Sequence, residues 1–266
     1  MRLFDLLMLP GLALVLGLLL GSFLNVVIHR LPRMLRREMR TQTVCAARRY
    51  NLAWPRSHCP SCRTPLPCWQ NLPLLSFVWL RGRCAFCRAA IAWRYPLVEL
   101  LTAACFALLA WTVQSPWLLC GSWFFSACLL ALAVIDLECG LLPDVLTLGL
   151  LWVGLLFNLY GGPVPLDAAL PGVLAGYLSL WLLYWGFYWL SGREGLGYGD
   201  FKLLAALGAW LGWSALPLVL LLSSLTGLLL GGILLLSGRM SRADPLPFGP
   251  FLACSGWLVW FVDFCL

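Results

Sequence analysis

Apolar stretches of membrane-spanning length dominate this chain and decide what it can fold into. A span takes about 20 apolar residues, and candidates lie at 7–28, 96–113, 117–135, 145–160, 168–190, 201–215, 216–236 and 247–265. Inside hydrocarbon a backbone must satisfy its own N–H and C=O groups, so such stretches are helices. Composition agrees: of 266 residues, 62% are hydrophobic and only 11% charged, against roughly 25% charged in soluble domains. The expected fold is an all-α polytopic membrane protein with about eight transmembrane helices. The first stretch ends at His29 and Arg30 with no small-residue cleavage site, so residues 1–28 read as a retained helix and not a removed signal peptide. Gly17 and Gly21 give that helix a small-xxx-small face for close packing.

Charge supplies the orientation. Residues 29–95 form a polar insert holding thirteen arginines, and residues 96–266 return to a helical membrane domain. With eight alternating spans, the insert shares its side with Arg193, Lys202, Arg239 and Arg242, so 17 of the 18 basic residues fall together and only Arg2 lies opposite. By the positive-inside rule that side is the cytoplasm, and both chain ends face the periplasm. The stretch 201–215 is short, but the charge split requires it to cross. The net charge of +7 therefore tracks a membrane face. Its expected partner is the anionic inner leaflet and not nucleic acid.

The insert contains two C-x2-C knuckles, Cys59 with Cys62 and Cys84 with Cys87. Two such knuckles supply four thiolates that close tetrahedrally on Zn²⁺, and a cytoplasmic location keeps them reduced. A closed four-thiolate site leaves no position for water, so the metal is structural and holds together an insert with little core. His58 and Cys68 are spare donors, read as ordinary loop neighbours. Cys105, Cys128 and Cys254 read as small apolar packing residues.

Most of the eleven acidic residues have plain explanations. Asp5, Asp167 and Asp263 flank spans on the outer side; Glu38, Glu194 and Asp244 lie in cytoplasmic connections. Glu99 sits one turn into the second span, either as a buried partner for an arginine of the insert or as part of a site. In "AVIDLECGLLPDVLT", Asp136 closes the third span, Glu138 falls in the loop after it, and Asp144 follows Pro143 where a helix N-cap belongs.

Asp200 completes Gly197-x-Gly199-Asp and opens the sixth span, with Lys202 free to snorkel toward headgroups. A cap alone would not call for Gly197 and Gly199; these leave room for another backbone, such as an extended substrate, beside the carboxylate. By parity Asp136 and Asp200 lie at cytoplasmic helix ends at similar depth, where ionisable groups are costly and suspected of function. Two aspartates sharing one water cannot both ionise easily. One takes a proton from the water while the other polarises a scissile carbonyl.

At this point the chain resembles the type IV prepilin peptidases, membrane aspartic proteases of the Gly-x-Gly-Asp class. The similarity runs through "GSFLNVVIHRLP", the knuckles with "NLPLLSFVWLRGRC" between them, "RYPLVELLTA", "IDLECGLLPD", "GLGYGDFKLLAALGAWLG" and "PFGPFLA". The resemblance implies Asp136 and Asp200 as catalytic residues and Cys59, Cys62, Cys84 and Cys87 as zinc ligands. It implies a bacterial inner-membrane enzyme that removes the short basic leader of type IV prepilins or type II secretion pseudopilins on the cytoplasmic side. It further implies N-methylation of the new N-terminus with S-adenosylmethionine, for which no binding residues are named. Glu99, Glu138 or Asp144 are candidates to receive the leader's positive charge.

Two other readings compete: a non-enzymatic zinc-ribbon scaffold of a secretion or pilus assembly, and a transporter using Asp136 and Asp200 as a proton relay. A scaffold does not require the Gly-x-Gly before Asp200. A transporter favours acids at mid-membrane and repeat symmetry, and neither is visible.

Overall fold

The computed structural model describes residues 9–40, 51–54, 56–192, 197–239 and 246–266. Arg2, Asp5, Arg48, Arg49, Arg193, Glu194, Arg242 and Asp244 lie outside the described residues, as do the side chains of Glu38 and Cys68. The described residues form α1 (Pro10–Arg40), α2 (Leu75–Trp79), α3 (Arg94–Thr112), α4 (Pro116–Cys139), α5 (Asp144–Leu159), α6 (Leu166–Ser191), α7 (Tyr198–Leu211), α8 (Leu216–Leu236) and α9 (Gly249–Phe264). Apart from α2, each coincides with one of the apolar stretches. Among the described residues five helices are long and apolar enough to cross a membrane, and α5 and α9 are shorter apolar helices.

The chain divides into two compact units, Met1–Ala127 and Cys128–Leu266, with the boundary inside α4. In the first unit α1 and α3 pack through the expected small-residue face. A Cβ on Gly17 would lie 2.6 Å from the Ala103 Cα, and one on Gly21 would lie 2.7 Å from the Glu99 Cα. Backbones approach that closely only across glycine. The insert between the two helices is tied down at both ends by buried polar groups of α1. Asn25 Nδ2 donates to the Tyr95 carbonyl at 3.0 Å. Arg30 Nη1 donates to the carbonyls of Asn51 at 3.0 Å and Leu52 at 3.2 Å.

One boundary differs clearly from expectation. Hydropathy ends the first span at residue 28, but α1 continues to Arg40 through Pro32. Leucine, methionine and arginine after that proline are good helix formers whatever their polarity, so the helix outlasts the apolar run.

In the second unit α7 is the core. From Phe201 to Leu211 every residue but Lys202 is buried. Gly208 meets Gly172 of α6 backbone to backbone, and Gly176 faces Leu204. From α5, Asn158 Nδ2 donates to the Ala209 carbonyl at 2.8 Å, and Trp210 Nε1 donates back to the Leu150 carbonyl at 2.9 Å. The Trp210 ring meets Trp260 of α9 edge-on at 5.4 Å between centroids. The expected stretch 201–215 is thereby shortened: the helix stops at Leu211, where Gly212 turns with φ +77. Fourteen residues give about 21 Å of helix, less than the ~30 Å hydrocarbon thickness. Being enclosed by α5, α6 and α9, α7 needs no lipid-matched length.

Candidate functional site

Asp136 and Asp200 come together at one end of the second unit, where α4 finishes and α5, α7 and α9 begin. The last turn of α4 carries Asp136. The helix stops at Gly140, whose φ of +58 suits glycine and whose N–H donates to the Asp136 carbonyl at 2.8 Å. Asp200 stands in the first turn of α7, whose N-cap is Gly197. Both carboxyls are buried, at 6% and 7% exposure.

Their partners differ. Gly249, the first residue of α9, has an N–H with no helical acceptor and donates it to Asp136 Oδ2 at 3.0 Å. Asp200 Oδ1 is buried and takes no hydrogen bond from the described residues. Leu142 wedges between the two glycine-lined walls: a Cβ on Gly199 would lie 2.7 Å from its Cβ, and one on Gly249 would lie 3.2 Å from its Cδ2.

Several local expectations give way to tertiary ones. Asp144 is not a cap, since the N-cap is Pro143 and makes no side-chain bond. Instead Asp144 Oδ1 pairs with Lys202 Nζ at 2.7 Å, so Lys202 does not snorkel. Asp200 is likewise not the cap of its helix. Glu138 lies in the last turn of α4 and not in the loop, and is exposed. Gly199 accommodates Leu142 of the same chain, while a Cβ on Gly197 would meet only Asp200 Oδ2, at 3.5 Å, and the Gly199 nitrogen, at 4.0 Å. In the first unit Glu99 Oε2 accepts the Leu74 N–H at 2.9 Å, with a further bond from Ser22.

The four cysteines of the insert converge, with every Sγ within 4.8 Å of the others. A tetrahedral Zn–S₄ site with Zn–S near 2.3 Å requires sulfurs about 3.8 Å apart, and Cys59 and Cys87 stand at 3.8 Å. The knuckles lower two of the thiols, Cys62 and Cys84, while burial and the neighbouring thiols push Cys87 up to about 11. The Thr64 hydroxyl, then its N–H, brings the Cys62 thiol down to about 6. The N–H groups of Cys87 and Phe86 lower Cys84. The donor set suits structural zinc. His58 stays apart, its Nδ1 lying 3.1 Å from the Arg56 carbonyl.

Residues 15–113 match the Bacterial Peptidase A24 N-terminal domain, and residues 123–232 match the Type IV leader peptidase family. The chain belongs to the type IV leader peptidase family. It is similar to the prepilin leader peptidase/N-methyltransferase of Aeromonas salmonicida, with 54% identity over 91% of this chain and 87% of the relative. The protein of that name from Dickeya chrysanthemi is 54% identical over 91% of this chain and 89% of its own. That from Neisseria gonorrhoeae is 47% identical over 93% and 88%. No solved structure matches the chain. Within this leader peptidase the residues that sequence reasoning missed are Gly249 and Leu142. Their only signal was "FGP" at the start of the last apolar stretch and an unremarkable leucine in the loop after α4. Among the described residues there is no strand that could lead into a Gly-rich nucleotide turn, so no residue of this chain is assigned to S-adenosylmethionine.

Proposed function

We propose that the enzyme cleaves the leader from type IV prepilins or pseudopilins at the cytoplasmic face of the bacterial inner membrane, with Asp136 and Asp200 as the catalytic pair. The new N-terminus would then be methylated, with S-adenosylmethionine as the methyl donor that the relatives' N-methyltransferase name implies. The observation that carries the peptidase reading is the pair itself. Two buried carboxyls from different helices stand around one leucine: Asp136 accepts the Gly249 N–H, and Gly249 and Gly199, the residue before Asp200, both press on Leu142.

The chemistry needs no further group. One carboxylate takes a proton as the water oxygen bonds to the scissile carbonyl carbon, and the other carboxyl gives its proton to the carbonyl oxygen. When the C–N bond breaks, the nitrogen leaves with the proton held by the first carboxyl, and the second carboxylate takes a proton from the gem-diol hydroxyl as the carbonyl re-forms, so the pair regains its starting state. A pure scaffold gives no reason for this arrangement of carboxyls. Purified enzyme incubated with a prepilin and a methyl-labelled donor should yield a shortened, labelled pilin. A labelled but uncleaved product, or no product, would defeat the reading.

Cys59, Cys62, Cys84 and Cys87 would hold one structural Zn²⁺, and that ion would fix the fold of the insert without touching the reaction. Metal analysis of purified protein is expected to find about one zinc per chain, lost from the Cys59→Ser, Cys84→Ser double variant. Stoichiometric disulfides among the four cysteines would rule the site out. Orientation follows the basic residues: the insert and the ends bearing Asp136 and Asp200 face the cytoplasm, and both termini face the periplasm. A reporter joined after Leu266 that works only in the cytoplasm would reverse that topology.

A further inference from the structure

The zinc-bearing insert exposes an apolar surface that none of the described residues of the first unit covers. Helix α2 turns Phe77 inward, where its ring packs on Trp93 at 5.1 Å between centroids. It turns Leu75, Val78 and Trp79 outward at 66%, 72% and 81% exposure. Trp69, whose ring lies 6.4 Å from that of Trp79, and Leu72 extend the surface. An exposed cluster of leucine, valine and tryptophan marks an interaction face.

Its height along the membrane helix is fixed. Leu74, the residue before α2, adopts φ 55 and ψ −45, a conformation that side-chain-bearing residues avoid. Its N–H is held there by Glu99 Oε2 at 2.9 Å. Glu99 lies in the second turn of α3, and Trp93 immediately precedes that helix. These two contacts hold α2 level with the first turns of α3. At the same level begins the uncovered apolar stripe of α3, which runs from Leu97 through Leu101 and Leu108 to Trp111. The exposed face of α2 therefore continues, at its edge, a face made for lipid.

Charge selects the occupant. Arg81, Arg83 and Arg88 follow α2 and are exposed, and the only acid in residues 29–95 is Glu38. A basic peptide would be repelled by this surface, whereas anionic headgroups beside buried tryptophan and leucine are what it complements. We infer that α2 is an interfacial anchor, laying the zinc-bearing insert on an anionic phospholipid leaflet through Leu75, Val78 and Trp79 with arginines at its rim. The Glu99–Leu74 bond serves as the strap that sets its depth. The inference rests on the membrane placement of α3 and is independent of the catalytic pair.

The test uses the full-length protein in nanodiscs of mixed phosphatidylcholine and phosphatidylglycerol. Photoreactive p-benzoylphenylalanine is placed at Val78, at Trp79, or at Leu108 on the stripe of α3. On irradiation the Val78 and Trp79 positions are expected to form lipid adducts as Leu108 does. Phosphatidylglycerol should exceed its share of the Trp79 adducts by about twofold or more, an excess removed by Arg81→Gln with Arg83→Gln. Adducts at Leu108 with none at Val78 and Trp79 overturn the anchor, as do adducts to a second chain or to added prepilin. Equal labelling by both lipids overturns its charge selection. Failure at Leu108 overturns the membrane placement beneath it, while the peptidase reading stands or falls separately on the Asp136 and Asp200 variants.

Discussion

Asp136→Asn and Asp200→Asn are each expected to abolish prepilin cleavage, by about 10³-fold or more, with membrane insertion and zinc content unchanged. Asparagine keeps the shape of the side chain. At position 136 its amide oxygen can still accept the Gly249 N–H that now reaches Asp136 Oδ2. What is lost is the exchange of a proton with water and carbonyl. The double variant should be no worse than either single one, because members of one catalytic unit lose nearly everything at the first change. Asp144→Asn separates this reading from one in which Asp144 is the partner of Asp200. Its pair with Lys202 involves side chains 58% and 28% exposed, and such pairs contribute about 0–1 kcal/mol. That variant should retain most activity in a cleavage assay. Near-normal cleavage by Asp136→Asn together with a dead Asp144→Asn would overturn the assignment.

What the sequence disclosed and what it hid divide along a physical line. Hydropathy located the apolar helices because burial in lipid is a property of the stretch itself. The C-x2-C spacing located the sulfur cluster because each knuckle is local and two of them suffice for the metal. The glycines at 17 and 21 announced helix contact for the same reason.

The errors came where a local rule met a distant partner. Asp144 has the residue type and position of a cap, but a lysine 58 positions later claims its carboxylate. Gly199 looked like room for a substrate backbone, and the room is taken by Leu142 from a loop far away in sequence. Glu99 left two expectations open, an arginine partner or part of a site, and what it holds is a main-chain N–H of the insert. The end of α1 was missed because arginine ends a membrane span without ending a helix.

Gly249 is the residue whose importance only the structure reveals, and replacing it tests the geometry of the site most directly. In Gly249→Ala the added Cβ would stand 2.6 Å from Asp136 Oδ2, 3.1 Å from its Cγ and 3.2 Å from Leu142 Cδ2. None of these has room to withdraw. Asp136 and Leu142 are buried, and Leu142 is backed by Gly199, where even a methyl group would lie 2.7 Å from its Cβ. The carboxyl must therefore shift or the start of α9 must move away, stretching the N–H bond that aims it. A displacement approaching 1 Å at a catalytic group costs about 10² in rate. Cleavage is expected to fall by about that factor, in kcat more than in KM, because the added methyl group displaces a catalytic carboxyl. Gly232→Ala supplies the control, since that helical glycine has nothing within 4 Å of its missing Cβ. There alanine should raise helix stability by up to about 1 kcal/mol and leave cleavage intact. A Gly249→Ala enzyme as fast as the Gly232→Ala enzyme would mean that Asp136 does not work from the position in which α9 holds it.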